Sequence, residues 1–175
     1  MEQASDSEDE EMTDTEGLQR AYAAGSKMYH HRKSNTLYVA GTSSIGDVME
    51  WPDIPLHRVP ETTRYKTVDR YLRGLGQENL PKRIVGHSLG GSVALELSKN
   101  YSVPATTYGA PVLDPIPRNP FHKPDRFACR FDPVASLDFG AKKVECTDRA
   151  NPHSYAGLEK FRKHGGSFST LFGNF

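Results

Sequence analysis

The sequence predicts an α/β fold, a mostly parallel sheet flanked by helices. Three observations carry that expectation. Short apolar runs bounded by turn residues alternate with longer amphipathic stretches, the order expected of strands that return through helices to one sheet. A glycine-rich turn sits between one such run and a helical stretch. The length of 175 residues fits one domain with a core around a central sheet and leaves little room for a second.

Taken in order, residues 1–17 hold eight acids, no Lys or Arg, and no aromatic or branched apolar residue. This composition predicts a solvated acidic tail, with 18–175 as the folded body. The chain's 22 acids and 22 Lys and Arg sum to zero, so taking out the tail leaves 14 acids against 22 bases, a body of +8. Such a body could approach anionic lipid or nucleic acid, with the tail as an electrostatic shield or as a merely solubilising segment. Gly17 to Met28 has near-helical spacing of Leu18, Ala21 and Tyr22 and predicts a short helix. Asn35 to Gly41 reads as a buried strand ending in a glycine turn. Thr42 to Pro60, with three prolines, suits a structured loop. Tyr65, Val68, Tyr71 and Leu72 fall at three- and four-residue steps and make Glu61–Leu75 an amphipathic helix. Lys82–Val85 is a strand, Gly86–Ser88 a sharp turn, and Leu89–Tyr101 a helix turning Val93, Ala94 and Leu97 to the sheet. Val103–Tyr108, Arg126–Phe131 and Lys142–Cys146 are further strands, and Tyr155–Arg162 begins a last helix. Cys129 and Cys146 lack zinc-ligand spacing and fit reduced buried thiols, although a bridge between successive strands is geometrically open.

Gly86-His87-Ser88-Leu89-Gly90 matches G-x-S-x-G in the strand-to-helix context that the pattern needs. A serine on such a turn is lifted above the sheet edge, and side chains at the flanking positions would collide where strand and helix cross. The Lys of a phosphate-binding loop is absent. The turn makes Ser88 a candidate nucleophile and the fold one of α/β-hydrolase type, with its elbow at Gly86–Gly90. With its flanks, Ile84 to Gly91, it resembles the elbow of the class 3 lipases, the fungal triacylglycerol lipase family. Ala40 to Ile45, Thr107-Tyr108-Gly109-Ala110-Pro111, Asp132-Pro133-Val134 and His153 resemble further blocks of that family in its order. Ala40 departs from the family's arginine there, and the spacers are short, so a compact, diverged member is implied.

A serine hydroxyl becomes a nucleophile when an imidazole takes its proton, and in this fold an acid and then a histidine follow the serine in the chain. His122, His153 and His164 follow; His153, just before the expected last helix, is the family match. Asp132 lies where a strand gives way to a loop and matches the family's acid block, with Asp138 as the alternative. One oxyanion donor in this fold is the N–H after the nucleophile, here Leu89. The resemblance makes Thr42 the second. By position it also makes Ser43–Pro55 a lid, in which Ile45, Val48, Met49, Trp51 and Ile54 either meet lipid or pack on the sheet edge.

The expected activity is therefore that of a serine ester hydrolase, a lipase or esterase in lipid metabolism, cleaving through a Ser88-His153-Asp132 triad and an acyl-enzyme. The same residues would also suit a silent lipid-binding module, or a thioesterase or peptidase. No metal or other cofactor is expected, and no nucleic-acid partner; the expected partner is a lipid or other acyl ester, with peripheral membrane contact open. No run is long enough to span a bilayer and the acidic start is unlike a secretory signal, so a soluble, intracellular or virion-associated chain is expected.

Overall fold

Strands β1 (Met28–His31), β2 (Thr36–Val39), β3 (Arg83–His87), β4 (Ala105–Tyr108), β5 (Asp125–Cys129) and β6 (Lys142–Val144) hydrogen-bond in chain order. The computed structural model describes residues 12–42, 58–112, 124–136, 138–145, 151 and 153–155. β1 and β2 form an antiparallel hairpin that pairs Met28 with Val39 and His31 with Thr36. β2 to β6 are parallel, in registers that set Leu37 beside Ile84, Gly86 beside Thr107 and Tyr108 beside Phe127. The chain is thus an α/β fold with a mostly parallel sheet flanked by helices.

Strand order that steps steadily one way puts right-handed crossover helices on a single face. α2 (Thr63–Leu75) and α3 (Leu89–Tyr101) accordingly share one. There Leu37, Val39 and Ile84 pack with Val68 and Leu72 of α2 and with Val93, Ala94 and Leu97 of α3. Successive strand residues point oppositely, so Tyr38 and Val85 face the other way, with Tyr108 and Phe127, onto Leu18 and Ala21 of α1 (Asp14–Ala23). Both faces are covered, which is why β2 to β4 read as continuous apolar or small runs. Emptying one such position, for example Leu72→Ala at a fully buried site, costs about 2–5 kcal/mol.

The expected boundary after residue 17 is wrong. Thr13 caps α1 through a capping box: its hydroxyl accepts from the Glu16 N–H at 3.2 Å and its own N–H donates to the Glu16 carboxylate at 2.9 Å. Asp14, counted among the tail acids, is fully buried. Its carboxylate meets both terminal nitrogens of Arg83, at 2.6 and 3.2 Å, and accepts from the Tyr108 hydroxyl at 2.7 Å. Composition hid a cap and a core ion pair inside an acidic run. Residues 12–17 belong to the body, so the division into a tail of 1–17 and a body of +8 does not follow the structure; the rest of that tail, 1–11, lies outside the described residues.

β1 is a strand that the sequence did not announce, since its residues are half-buried and polar-rich. Cys129 is disulfide-bonded, against the expected reduced thiol; Cys146, the other cysteine, lies outside the described residues. So do the proposed lid with Ile45, Val48, Met49, Trp51 and Ile54, the candidates His122 and His164, and all of the expected last helix but Tyr155. Among the described residues, no helix is long and apolar enough to cross a membrane.

Candidate active site

The parallel strands deliver their following residues to one edge of the sheet: Gly41 and Thr42 after β2, Ser88 after β3, Gly109 after β4 and Asp132 after β5. Ser88 stands at φ 54°, ψ −129°, between the last residue of β3 and the first of α3. That is a region an L-residue occupies only at a cost of about 1–3 kcal/mol. The surroundings hold it there. The Ser88 N–H donates to the Tyr108 carbonyl at 3.0 Å, and its carbonyl accepts from Gly91 at 2.8 Å. The flanking positions admit no side chain, because a Cβ on Gly86 would lie 2.2 Å from the Gly90 carbonyl oxygen and one on Gly90 2.2 Å from that of Val39.

Asp132 is buried, and its Oδ2 lies 2.8 Å from Nδ1 of His153. Its Oδ1 accepts from the Val134 and Ala135 N–H groups at 2.8 and 3.3 Å, which fixes the carboxylate plane. Gly109, at φ 59°, makes the room: a Cβ there would stand 2.9 Å from Asp132 Oδ2 and 3.2 Å from the His153 ring. The alternative acid, Asp138, is committed elsewhere, with Oδ1 3.2 Å from Arg126 Nη1 and 3.0 Å from the Gly140 N–H. Of the two carboxylates, Asp132 is the one that orients an imidazole.

A carboxylate can only accept, so His153 Nδ1 carries a proton, and in the neutral imidazole Nε2 presents a lone pair. Nε2 is buried and has no hydrogen-bond partner. No hydrogen bond joins it to Ser88 Oγ.

Sequence reasoning missed what holds His153 in place. His87, the buried last residue of β3, has Nε2 2.8 Å from the His153 carbonyl oxygen and Nδ1 2.6 Å from the Tyr22 hydroxyl. The Gly41 N–H donates to that same hydroxyl at 3.1 Å. The carbonyl accepts only, so Nε2 bears the His87 proton, Nδ1 is an acceptor, and Tyr22 donates to it. Every member is then satisfied with His87 neutral. Burial, and next the neighbouring His153, push the His87 pKa down from 6.5 to about 3. Burial likewise raises Tyr22 to about 12, which keeps it a donor. Tyr155 stacks on Tyr22 and edges onto His87 with centroids 5.8 and 4.8 Å away. Helix α1, the Ser88 turn, the loop after β2 and the loop that carries His153 are thereby tied together. His87 was visible as the second residue of the motif, but nothing in one sequence marks Tyr22 as its partner.

Leu89 is the first residue of α3, where an N–H has no acceptor within its helix. Thr42 follows Gly41, whose Cβ, if it had one, would lie 2.7 Å from the Ser88 Cβ. With the Gly41 N–H spent on Tyr22, the Thr42 N–H is the next donor along the loop. Ser88, Asp132, His153, Leu89 and Thr42 therefore come to one sheet edge, while Ile45, Val48, Met49 and Trp51 lie outside the described residues. Among the described residues, no group of three or more His, Cys, Asp or Glu is gathered as for a metal ion. Chemically, the arrangement offers a hydroxyl on a strained turn, an oriented imidazole with a bare nitrogen, and two N–H groups beside them. Comparison with protein-family models finds no match for this chain, and comparisons with curated proteins and with solved structures find none, so any functional conclusion rests on this geometry.

Proposed function

We propose that the chain is a serine ester hydrolase of α/β-hydrolase type, a compact relative of the class 3 lipases, acting on carboxylic esters of lipids. The observation that carries this reading is the strained Ser88 turn beside an Asp132-oriented imidazole whose Nε2 is bare. Nε2 takes the Ser88 proton as Oγ attacks the acyl carbon. The oxyanion so formed accepts from the Leu89 and Thr42 N–H groups. Collapse breaks the ester C–O bond, the leaving oxygen takes the proton from Nε2, and an acyl-Ser88 remains. Water then gives a proton to Nε2 and its oxygen to the acyl carbon, releasing the acid and restoring Ser88.

One observation favours a second reading, a silent binding module: the missing Ser88–His153 hydrogen bond. Such bonds are often unmade without substrate. A buried, unpartnered nitrogen costs about 1–3 kcal/mol, and a protein that never uses it gains nothing from keeping it. An alkyl fluorophosphonate separates the two. The hydrolase is modified at Ser88, seen as one adduct on the peptide that carries it, and loses esterase activity towards p-nitrophenyl esters in step. Ser88→Ala takes no adduct and has no activity, with unfolding unchanged. An unmodified Ser88, or turnover surviving in Ser88→Ala, overturns the proposal.

A further inference from the structure

Next to the elbow, Ser26, Lys27, Thr63, Arg64, Thr67 and Leu89 help to line a cavity of about 320 Å³, a size at the low end of small-molecule pockets (~300–1,000 Å³). Its charge is one-sided. Of the three described arginines that are not exposed, Arg83 and Arg126 meet the carboxylates of Asp14 and Asp138, whereas Arg64 meets only backbone carbonyls, those of Ala40 and Lys27. Lys27 likewise donates to a carbonyl, that of Tyr22, at 2.7 Å. Carbonyl oxygens orient a cation but carry no net charge to neutralise it. Among the described residues, neither cation has a carboxylate partner. Arg64 spends Nη1 on its carbonyls, and among the described residues no hydrogen bond engages its Nη2 or Nε. Its half-burial is a standing desolvation cost, which an anion in the cavity would offset.

Position gives this charge a use. Leu89 is both a wall of the cavity and the proposed oxyanion donor. Arg64 is tied to Ala40, two residues before Thr42, the other donor. We propose that the cavity is a subsite for a phosphate group on the substrate, so that the ester cleaved is an acyl ester of a phosphorylated alcohol. Lys27 and Arg64 grip the phosphate oxygens, and the hydroxyls of Thr63 and Thr67 line the wall. This rests on the hydrolase reading and names its substrate class.

The test has two arms. In the first, kcat/KM is measured for a short-chain acyl glycerophosphate and for the matching neutral acyl glycerol. The expected preference for the phosphate ester is about 10- to 100-fold, the range of a charge-assisted hydrogen bond. Lys27→Gln, which keeps a donor and removes the charge, lowers that ratio about tenfold. Thr67→Asp, which places a carboxylate in the cavity from the other wall, lowers it independently should Lys27→Gln fail to fold. In the second arm, a non-hydrolysable alkyl-ether glycerophosphate and inorganic phosphate are titrated against the wild-type protein by calorimetry. The ether is expected to bind more tightly than phosphate, and less tightly to Lys27→Gln. Hydrolysis of both esters at equal kcat/KM overturns the subsite and leaves the hydrolase reading. Lys27-dependent binding of the ether without hydrolysis of either ester overturns the hydrolase reading and leaves an anion site. Inorganic phosphate binding as tightly as the ether overturns the substrate assignment, and absence of both binding and hydrolysis overturns both.

Discussion

His87 predicts an acid sensitivity that can be sized. Its pKa is pushed from 6.5 to about 3, chiefly by burial, so the folded chain keeps it neutral where the unfolded chain protonates it. Above about pH 6.5 both states are neutral and the group contributes nothing to the slope. Below that, the unfolded state binds the extra proton, and stability falls by about 1.4 kcal/mol per pH unit until the folded state also titrates. From about pH 6.5 to 5 the loss assigned to His87 is about 1.5–2 kcal/mol, allowing for the rounded start of the titration. His30, half-buried and shifted down by burial too, acts with the same sign. The assay therefore compares wild type with His87→Gln, which keeps an amide donor for the His153 carbonyl but cannot titrate. Urea unfolding of both at about pH 6.5, 5.75 and 5 should show the wild type losing about 1.5–2 kcal/mol more than the variant. Parallel lines would refute a buried neutral His87, and with it the proton assignment that runs from Tyr22 to the His153 carbonyl.

The two candidate acids should separate by phenotype: Asp132→Asn disturbs the His153 tautomer and lowers kcat by roughly 10³–10⁴, measured on a soluble ester. Asp138→Asn instead strips the partner from buried Arg126 and costs about 3–5 kcal/mol in urea unfolding. The reverse pattern would move the acid to Asp138. Tyr22→Phe leaves the Gly41 N–H and His87 Nδ1 without their shared partner and should cost about 1–3 kcal/mol for each group left buried and unpaired; no loss in urea unfolding would mean that water replaces the hydroxyl. A chain starting at Met12 keeps the Thr13 cap and the Asp14–Arg83 pair, whereas one starting at Leu18 loses both. The second should be less stable by about 3–5 kcal/mol, and equal melting of the two would return residues 12–17 to the tail.

Sequence was informative where local geometry demands a residue type. Gly86 and Gly90 can be nothing larger, and Ser88 sits between them, so the elbow was legible to the residue. Leu89–Tyr101 came out at its observed bounds because Val93, Ala94 and Leu97 repeat on one face. Asp132 could be singled out as a candidate acid from its place after a strand and its match to the resembled family's block, and the structure sets it beside His153. Contacts between distant segments were not. Asp14 meets Arg83 and Tyr108 across 69 and 94 positions, and its neighbours in the chain make it look like one more solvated acid. β1 is half-buried throughout, so it lacks the apolar alternation that marks a strand, and only pairing with β2 makes it one.

The distribution of unsatisfied groups separates the two ends of the sheet. Where β2 begins, Asn35 bonds His30, its amide reaches the Leu80 carbonyl, and its own carbonyl accepts from Lys82. Where β2 to β5 end, His153 Nε2 is buried without a partner, Ser88 is strained, and Arg64 lines a cavity with no carboxylate partner among the described residues. A fold selected for stability alone would satisfy both ends, since each such defect costs about 1–3 kcal/mol. Positive φ also occurs at the other end, at Asn35 (49°) and Ser102 (56°); what marks the edge to which parallel strands deliver their loops is the group left unpaired there, as a ligand-binding edge of an α/β sheet requires, because groups paired within the protein are not available to substrate. Thr107 Oγ1 is also buried and unpartnered, and it lies within β4 rather than beyond its end. The other defects fall into two sets, one suited to moving a proton and one to holding an anion. On the proposed function and subsite, the two sets meet at Leu89, so the proposed substrate carries its negative charge close to the ester bond.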